Sequence, residues 1–598
     1  MTRLAIYGLL LWPQLMFAQE SGSAIPSEEI ARAPSSMRLA ALVDRAATQG
    51  WGSIAPVLRA AALQAYETNS GYVPAWYYLY RWADLLATPY NKSLQDWIKA
   101  VEKAGVGHPN MAPRYDYHPG SLSAQLSREL QLLLLGNAAL AEEFFTLLSP
   151  VDRPSEVLAI LQKIHTAEPA LFADYGSLAL AIAVVYDVPP TPNWPHGQVS
   201  PALLPRQMPP PAQIFAHFAK LDRTNGTLQR LRRLPAGELK FLVDIAAPFT
   251  ELDWARQNVP LGLADLANAY SGIKYRKDRL EQGVLHWPGK DYRLASILAQ
   301  GGICVDQAYF ASMAGKAKGI PTLMFRGAGL DGRHAWFGYL GANQKWQLDC
   351  GRFAEQKFIV GVAFDPQTWG DINDHELGFI AERFRALPTY KLSVMHTAFA
   401  AEYLRDGKPD LALKAAREAV NRDRRNLPAW NVLLDAQAAL SPELRARETI
   451  LRDAVLAFAK YPDLEIAFSR QLVEVLRKRG ETSVATFEEQ RLGKKYLATR
   501  SDLSIEQAAA TVQRSMKEDD LATQIKVFNR VLETAGLGQT IDFYDKVVVP
   551  VLRHLADRGQ IPAALQCLDR ARRTLRVDPG RQLDLEMAGM AKQLKSGK

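Results

Sequence analysis

The sequence predicts an α+β protein that is mostly α. Two observations carry this. Apolar residues recur at three- and four-residue steps over most of the 598 residues, as in Leu39, Leu42 and Val43, or Leu130, Leu133 and Leu134. In one central stretch that period gives way to alternation, broken by Gly341-Ala342-Asn343-Gln344, a hairpin signal. A chain this long exceeds one hydrophobic core, so three or four domains are expected.

Composition sets further bounds. Apolar residues make up 48% and charged residues 22%, an ordinary balance for a globular chain. The net charge is +8, but 71 basic and 63 acidic residues are interleaved without a Lys/Arg run, which argues against a nucleic-acid partner. Three cysteines, Cys304, Cys350 and Cys567, are too few for a disulfide-held framework. Cys567 lies on the apolar side of a predicted helix and reads as core.

The elements follow in order. Arg3, the apolar run 4–17 and the sequence Ala18-Gln19-Glu20 predict a secretory signal over residues 1–18. Pro13 and a run of about 14 residues argue against a stable transmembrane helix there. No later segment has 18 uninterrupted apolar residues, so no stable membrane insertion is expected. The expected location is outside the cytoplasm, periplasmic or secreted. Residues 27–187 form an N-terminal helical region. Residues 188–211 hold Pro189, Pro190, Pro192, Pro195, Pro201, Pro205 and Pro209 to Pro211. Prolines this dense exclude helix and central strand and predict an extended connector or surface strap. Helices resume over 212–269 as a lead-in to a domain at 270–386. There, helix formers follow Cys304 until Gly319-Ile320-Pro321 stops them, and strands are expected at 322–326, 334–340 and 345–350.

From 387 to 598 the chain is helical again and repeats itself. Gly407, Ala412 and Ala419 recur in spacing as Gly559, Ala564 and Ala571, each set followed by a proline at a similar distance, Pro428 and Pro579. Glycine allows the turn between antiparallel helices, alanine lets them approach closely, and proline is expected to end the second helix. With Tyr403 on the first helix, this resembles the tetratricopeptide pattern, and the segment 155–172 is a further unit of that kind. The resemblance implies stacked helical hairpins with a concave face for a peptide or partner protein. A plain helical scaffold without a ligand is the alternative.

Chemistry concentrates between residues 300 and 350. Gln300-Gly301-Gly302-Ile303 leads into Cys304 at a helix N-terminus, where backbone N–H groups favour a thiolate and can stabilise an oxyanion. His334 and Asp349 lie on the two strands of the hairpin. If Gly341 pairs with Gln344, His334 stands opposite Gly351, with Asp349 two residues along on the same face and within reach. A slip of one residue would break that alignment. The expected roles are Cys304 as nucleophile, His334 as base and Asp349 as the group that orients the imidazole. Cys350 is expected on the opposite strand face from Asp349.

The motifs Gly302-Ile303-Cys304-Val305-Asp306-Gln307-Ala308, Gly319-Ile320-Pro321, His334-Ala335-Trp336 and Trp346-Gln347-Leu348-Asp349 resemble the transglutaminase-like superfamily. The resemblance spans about a tenth of the chain. It implies a papain-like core with Cys304 as nucleophile, His334 as general base and acid, and Asp349 as orienter. It also implies an upstream residue that assists the oxyanion, for which Gln300 and Trp287 are candidates. No metal-ligand spacing and no phosphate loop with its lysine occurs, so no cofactor is expected.

Together these features predict an exported cysteine enzyme that acts on amide bonds of proteins or peptides through a thioester. Hydrolysis is favoured over transfer because water is abundant and no dedicated amine site is visible. A cell-wall amidase would share the chemistry. The alternative of another class is a catalytically silent scaffold that binds other exported proteins.

Overall fold

The computed structural model describes residues 24–90, 120–329, 332–352, 360–496, 500–535 and 540–596. The signal segment expected over 1–18 lies outside them. The described chain is mostly helical, with seven short strands. Among the described residues no single helix is long and apolar enough to cross a membrane.

Helices Pro154–Ala167, Pro211–Arg223 and Ala236–Val243 gather around Gly176–Tyr186, whose residues from Leu178 to Val185 are all buried. A helix apolar on every side belongs at the centre of a bundle. Strands β1 (Pro89–Tyr90) and β2 (Gly120–Ser121) form a two-residue antiparallel pairing. The bundle docks on the helix Pro388–Arg405. Arg59 donates to Glu402 and Asp406 at 2.7 and 2.5 Å, and Tyr66 stacks on Phe399 at 4.1 Å.

The proline-rich segment has neither helix nor strand up to Pro210, and Pro211 opens the helix Pro211–Arg223. It is held down by buried Trp194, His196, Val199 and Leu204. Trp194 meets Trp369 edge to face, and the Gln198 carbonyl accepts from the Trp287 main-chain N–H at 2.9 Å. The segment is thus a strap across the central region.

That region holds a five-stranded antiparallel sheet: β3 (Thr322–Ala328), β4 (Arg333–Leu340), β5 (Trp346–Cys350), β6 (Val362–Phe364) and β7 (Asp371–Asn373). The order is β5-β4-β3-β6-β7. The last two strands have three residues each, too short to show an alternating pattern in sequence. The helix Cys304–Ala317 packs on the sheet, where Val305, Ala308 and Ala311 share a core with Leu323, Phe325 and Phe337.

Helical hairpins follow. Pro388–Arg405 turns into Pro409–Arg422 at Gly407, and Val549–Asp557 into Ile561–Thr574 at Gly559. Both glycines have positive φ, +67° and +73°. Ala412, Ala419, Ala564 and Ala571 are fully buried where the helices touch. One expectation is corrected. Pro428 does not end a helix; it sits in the first turn of Leu427–Leu440, where a missing N–H costs nothing. Residues from Ile505 onward build a separate C-terminal core.

Candidate active site

Cys304 is the first residue of its helix. The approach is tightly seated. Gly302 lies beside Tyr275 as a parallel bridge, and a Cβ on Gly301 would meet the Lys274 carbonyl at 2.4 Å. Asp306, fully buried, completes the helix start. Its carboxylate accepts from the Ile303 N–H at 2.9 Å, from Arg279 Nη1 at 2.7 Å and from the Tyr292 hydroxyl at 2.9 Å. Behind it, Gln198 N–H donates to His196 Nδ1 at 3.3 Å, so Nε2 carries the proton and donates to the Tyr292 oxygen at 3.0 Å. Burial holds His196 down to about 3, so this imidazole is neutral. A hydrogen-bond chain therefore runs from the strap to the start of the Cys304 helix.

Burial, not the helix terminus, sets the resting state of Cys304. It pushes the thiol up to about 11, and the Asp306 charge adds to this. The N–H groups of Ala335, Val305 and Cys304 itself pull the other way without winning. The expectation of a favoured thiolate is corrected: an N-terminal partial charge is outweighed when the sulfur leaves water. Ala335, whose N–H acts on the sulfur, is the residue that follows His334 in β4.

His334 is 6% exposed. Its Nε2 lies 2.6 Å from the Gly351 carbonyl oxygen. A carbonyl only accepts, so Nε2 carries the ring proton and Nδ1 is the basic nitrogen. The Tyr270 hydroxyl lies 3.3 Å from the same Nε2 and donates to the Ala335 carbonyl at 2.8 Å. Tyr270 also feels Cys304: burial first, then the nearby sulfur, raises its phenol well above the usual range. Tyr275, raised to about 12 by burial and by Cys304, flanks the sulfur as well. Gly351 has φ +92°, and a Cβ there would meet the Tyr270 ring at 2.6 Å. Only glycine lets the ring and the carbonyl share this space.

Asp349 is not the orienting group in this structure. Its side chain is 70% exposed and pairs with Arg352 at 2.7 Å. The cause is the hairpin. Gly341 N–H donates to the Lys345 carbonyl, its own carbonyl accepts from the Gln344 N–H, and Gln344 takes φ +55°, so the loop has three residues instead of two. A bulge follows, since Phe337 pairs with Cys350 but Tyr339 with Gln347. Asp349 therefore lies near Gly338, roughly 13 Å along the strand from His334. The Gly351 carbonyl occupies the expected place of its carboxylate. Arg352 meanwhile bridges Asp349 to buried Asp374 and lies 5.0 Å over the Trp336 ring.

The other candidates are elsewhere. Gln300 is exposed at the end of Leu294–Gln300, and its carbonyl accepts from Arg276. The Trp287 indole N–H donates to the Asp291 carbonyl at 2.8 Å. Cys350 and Cys567 are free thiols, both raised to about 11 by burial, and no disulfide forms among the described residues. No group of three or more His, Cys, Asp or Glu suited to a metal occurs among the described residues. Sequence reasoning missed Tyr270, Gly351 and the Ala335 N–H. Each reaches the site by tertiary packing, and only the glycine after Cys350 left a visible trace. No family model matches the chain, and no curated protein matches it.

Proposed function

We propose that this is an exported transglutaminase-like cysteine enzyme with a papain-like core, cleaving amide bonds of proteins or peptides through a thioester. One observation carries the reading. Cys304, which opens a buried helix, acts on Tyr270, and the Tyr270 hydroxyl lies 3.3 Å from His334 Nε2 and donates to the Ala335 carbonyl. Cys304 gives its thiol proton to His334 Nδ1 as the sulfur attacks the amide carbonyl carbon. The C–N bond then breaks, and the amine leaves with the proton from His334. Water, deprotonated by the same nitrogen, attacks the thioester and releases the carboxylic acid and the thiol. In this reading the N–H groups that act on the sulfur also receive the oxyanion. The neutral resting thiol fits base activation on substrate binding.

The test is cleavage of a defined set of peptides and isopeptides, followed by mass spectrometry. Cleavage by the wild type that disappears in Cys304→Ala is expected. Cleavage that persists in the variant would refute the mechanism.

The outward Asp349 and the raised thiol favour a second reading, a catalytically silent scaffold for other exported proteins. It predicts one stoichiometric partner in a pull-down, retained by Cys304→Ala, and no cleavage of any substrate.

A further inference from the structure

We propose that Arg333 is a positioning residue. It ties the His334 end of the sheet to the C-terminal helical hairpins, so that the imidazole is in place only while those hairpins are docked. This rests on the reading of Cys304 and His334 as the reacting pair.

Arg333 opens β4 directly before His334. It pairs with Ala328 on the last rung of the β3–β4 ladder, and the next rung pairs Gly327 with His334. The end of a ladder is where strands fray first. Here it is held from outside. Arg333 Nε and Nη2 donate to the two oxygens of Asp545 at 3.2 and 2.6 Å. Nη1 and Nη2 donate to the two oxygens of Glu586 at 2.5 and 3.0 Å. The Arg333 main-chain N–H points to Gln582 Oε1 at 3.4 Å, and Gln582 Nε2 in turn donates to Glu586 at 2.9 Å. Ala328 packs against the same C-terminal core.

Two segments converge on this one guanidinium. Asp545 comes from a π-helical turn, Tyr544–Val548, and Gln582 and Glu586 from the last helix, Gln582–Ser596. Paired forks fix direction as well as distance, which a lysine cannot reproduce. The three side chains are 39%, 40% and 33% exposed. Ion pairs this wet add little to global stability. Their effect is local: they fix the backbone that carries the imidazole, and a general base must be held to within about 0.5 Å.

The experiment uses the full chain as wild type, Arg333→Gln, Arg333→Lys, Glu586→Gln and the triple variant Arg333→Gln/Asp545→Asn/Glu586→Gln. Two readouts are taken: amide hydrogen exchange of the β4 peptide, and acylation of Cys304 by p-nitrophenyl acetate as a function of pH. In Arg333→Gln, exchange at the start of β4 should quicken while the Cys304 helix is unchanged. Acylation should fall about tenfold, as expected for a displaced base. The pH limb of the base should move up, because Asp545 and Glu586 are left unneutralised nearby. The triple variant should return the limb but not the rate. Arg333→Lys and Glu586→Gln, milder changes at exposed positions, should fall between. Unchanged β4 exchange and an unchanged pH limb in Arg333→Gln would overturn the proposal. A wild type that is not acylated at Cys304 would instead refute the reading of the reacting pair, and exchange would still decide whether Arg333 holds the strand.

Discussion

Cys304 shows how burial competes with a helix terminus at a single side chain. Its thiol is raised above the ordinary value, so the neutral form is favoured in the folded protein. That contribution to stability is complete below the unfolded pKa near ~8.5 and is lost as pH rises through about 11. Alkylation by iodoacetamide should therefore be slow at pH 7 and climb toward pH 11; a fast plateau at pH 6 would contradict this. Asp306 carries a second prediction. Asp306→Asn leaves Arg279, whose side chain is 3% exposed, without its counter-charge, which should cost about 3–5 kcal/mol in urea unfolding. A loss below about 1 kcal/mol would show that Arg279 relies on the carbonyls of Val284, Leu285 and His286 instead. The position of Cys304 was legible in sequence, because two glycines and a run of helix formers mark a helix start. Its protonation was not, because the surrounding β4 backbone comes from a distant segment.

At the scale of elements, the β4–β5 hairpin decides which group orients His334. Its existence was legible from Gly341 to Gln344, and its register was not. Gln344 adopts a left-handed conformation that its residue type does not advertise, and the bulge at Leu348 and Asp349 has no signature. Each adds one step, and together they remove Asp349 from His334. Asp349→Ala should accordingly slow acylation of Cys304 by less than about threefold, far from the loss of a general base. Gly351→Ala should do more. It places a methyl group 2.6 Å from the Tyr270 ring at φ +92°, so a loss of about 1–3 kcal/mol is expected in thermal or urea unfolding. An unchanged midpoint would mean that the ring can move aside. The helical hairpins were more legible, since buried alanines and turn glycines must recur wherever helices cross closely.

At the scale of the whole molecule, a buried carboxyl, Asp152, joins the N-terminal helices to the central sheet. Gln367, in the turn between β6 and β7, donates to the Leu147 carbonyl and to Asp152, both at 2.8 Å. Asp187 accepts from the Arg153 N–H at 2.6 Å. Burial raises Asp152 to about 6 and Asp187 to about 7, and Glu376 near the sheet to about 7. Lys240 faces this region and Asp365 lies beside it, so one cation opposes several acids. A carboxyl raised in the fold stabilises it below the ordinary carboxylate pKa and loses that contribution as pH rises through the folded value. The melting temperature should thus fall between pH 5 and pH 8, and Asp187→Asn should flatten the fall. A wild type that melts higher at pH 8 than at pH 5 would contradict the sign. None of these acids stood out in sequence, because their burial comes from tertiary packing of segments distant in the chain.

The most direct measurement is the rate of Cys304 acylation by p-nitrophenyl acetate in wild type, His334→Ala and Asp349→Ala, with the acyl group located by mass spectrometry after acid quench. Acylation at Cys304, slowed by about 100-fold in His334→Ala and nearly untouched in Asp349→Ala, is predicted. Equal rates in wild type and His334→Ala would contradict a Cys304–His334 pair, and a loss in Asp349→Ala as large as in His334→Ala would contradict the Gly351 carbonyl as the group that orients the imidazole.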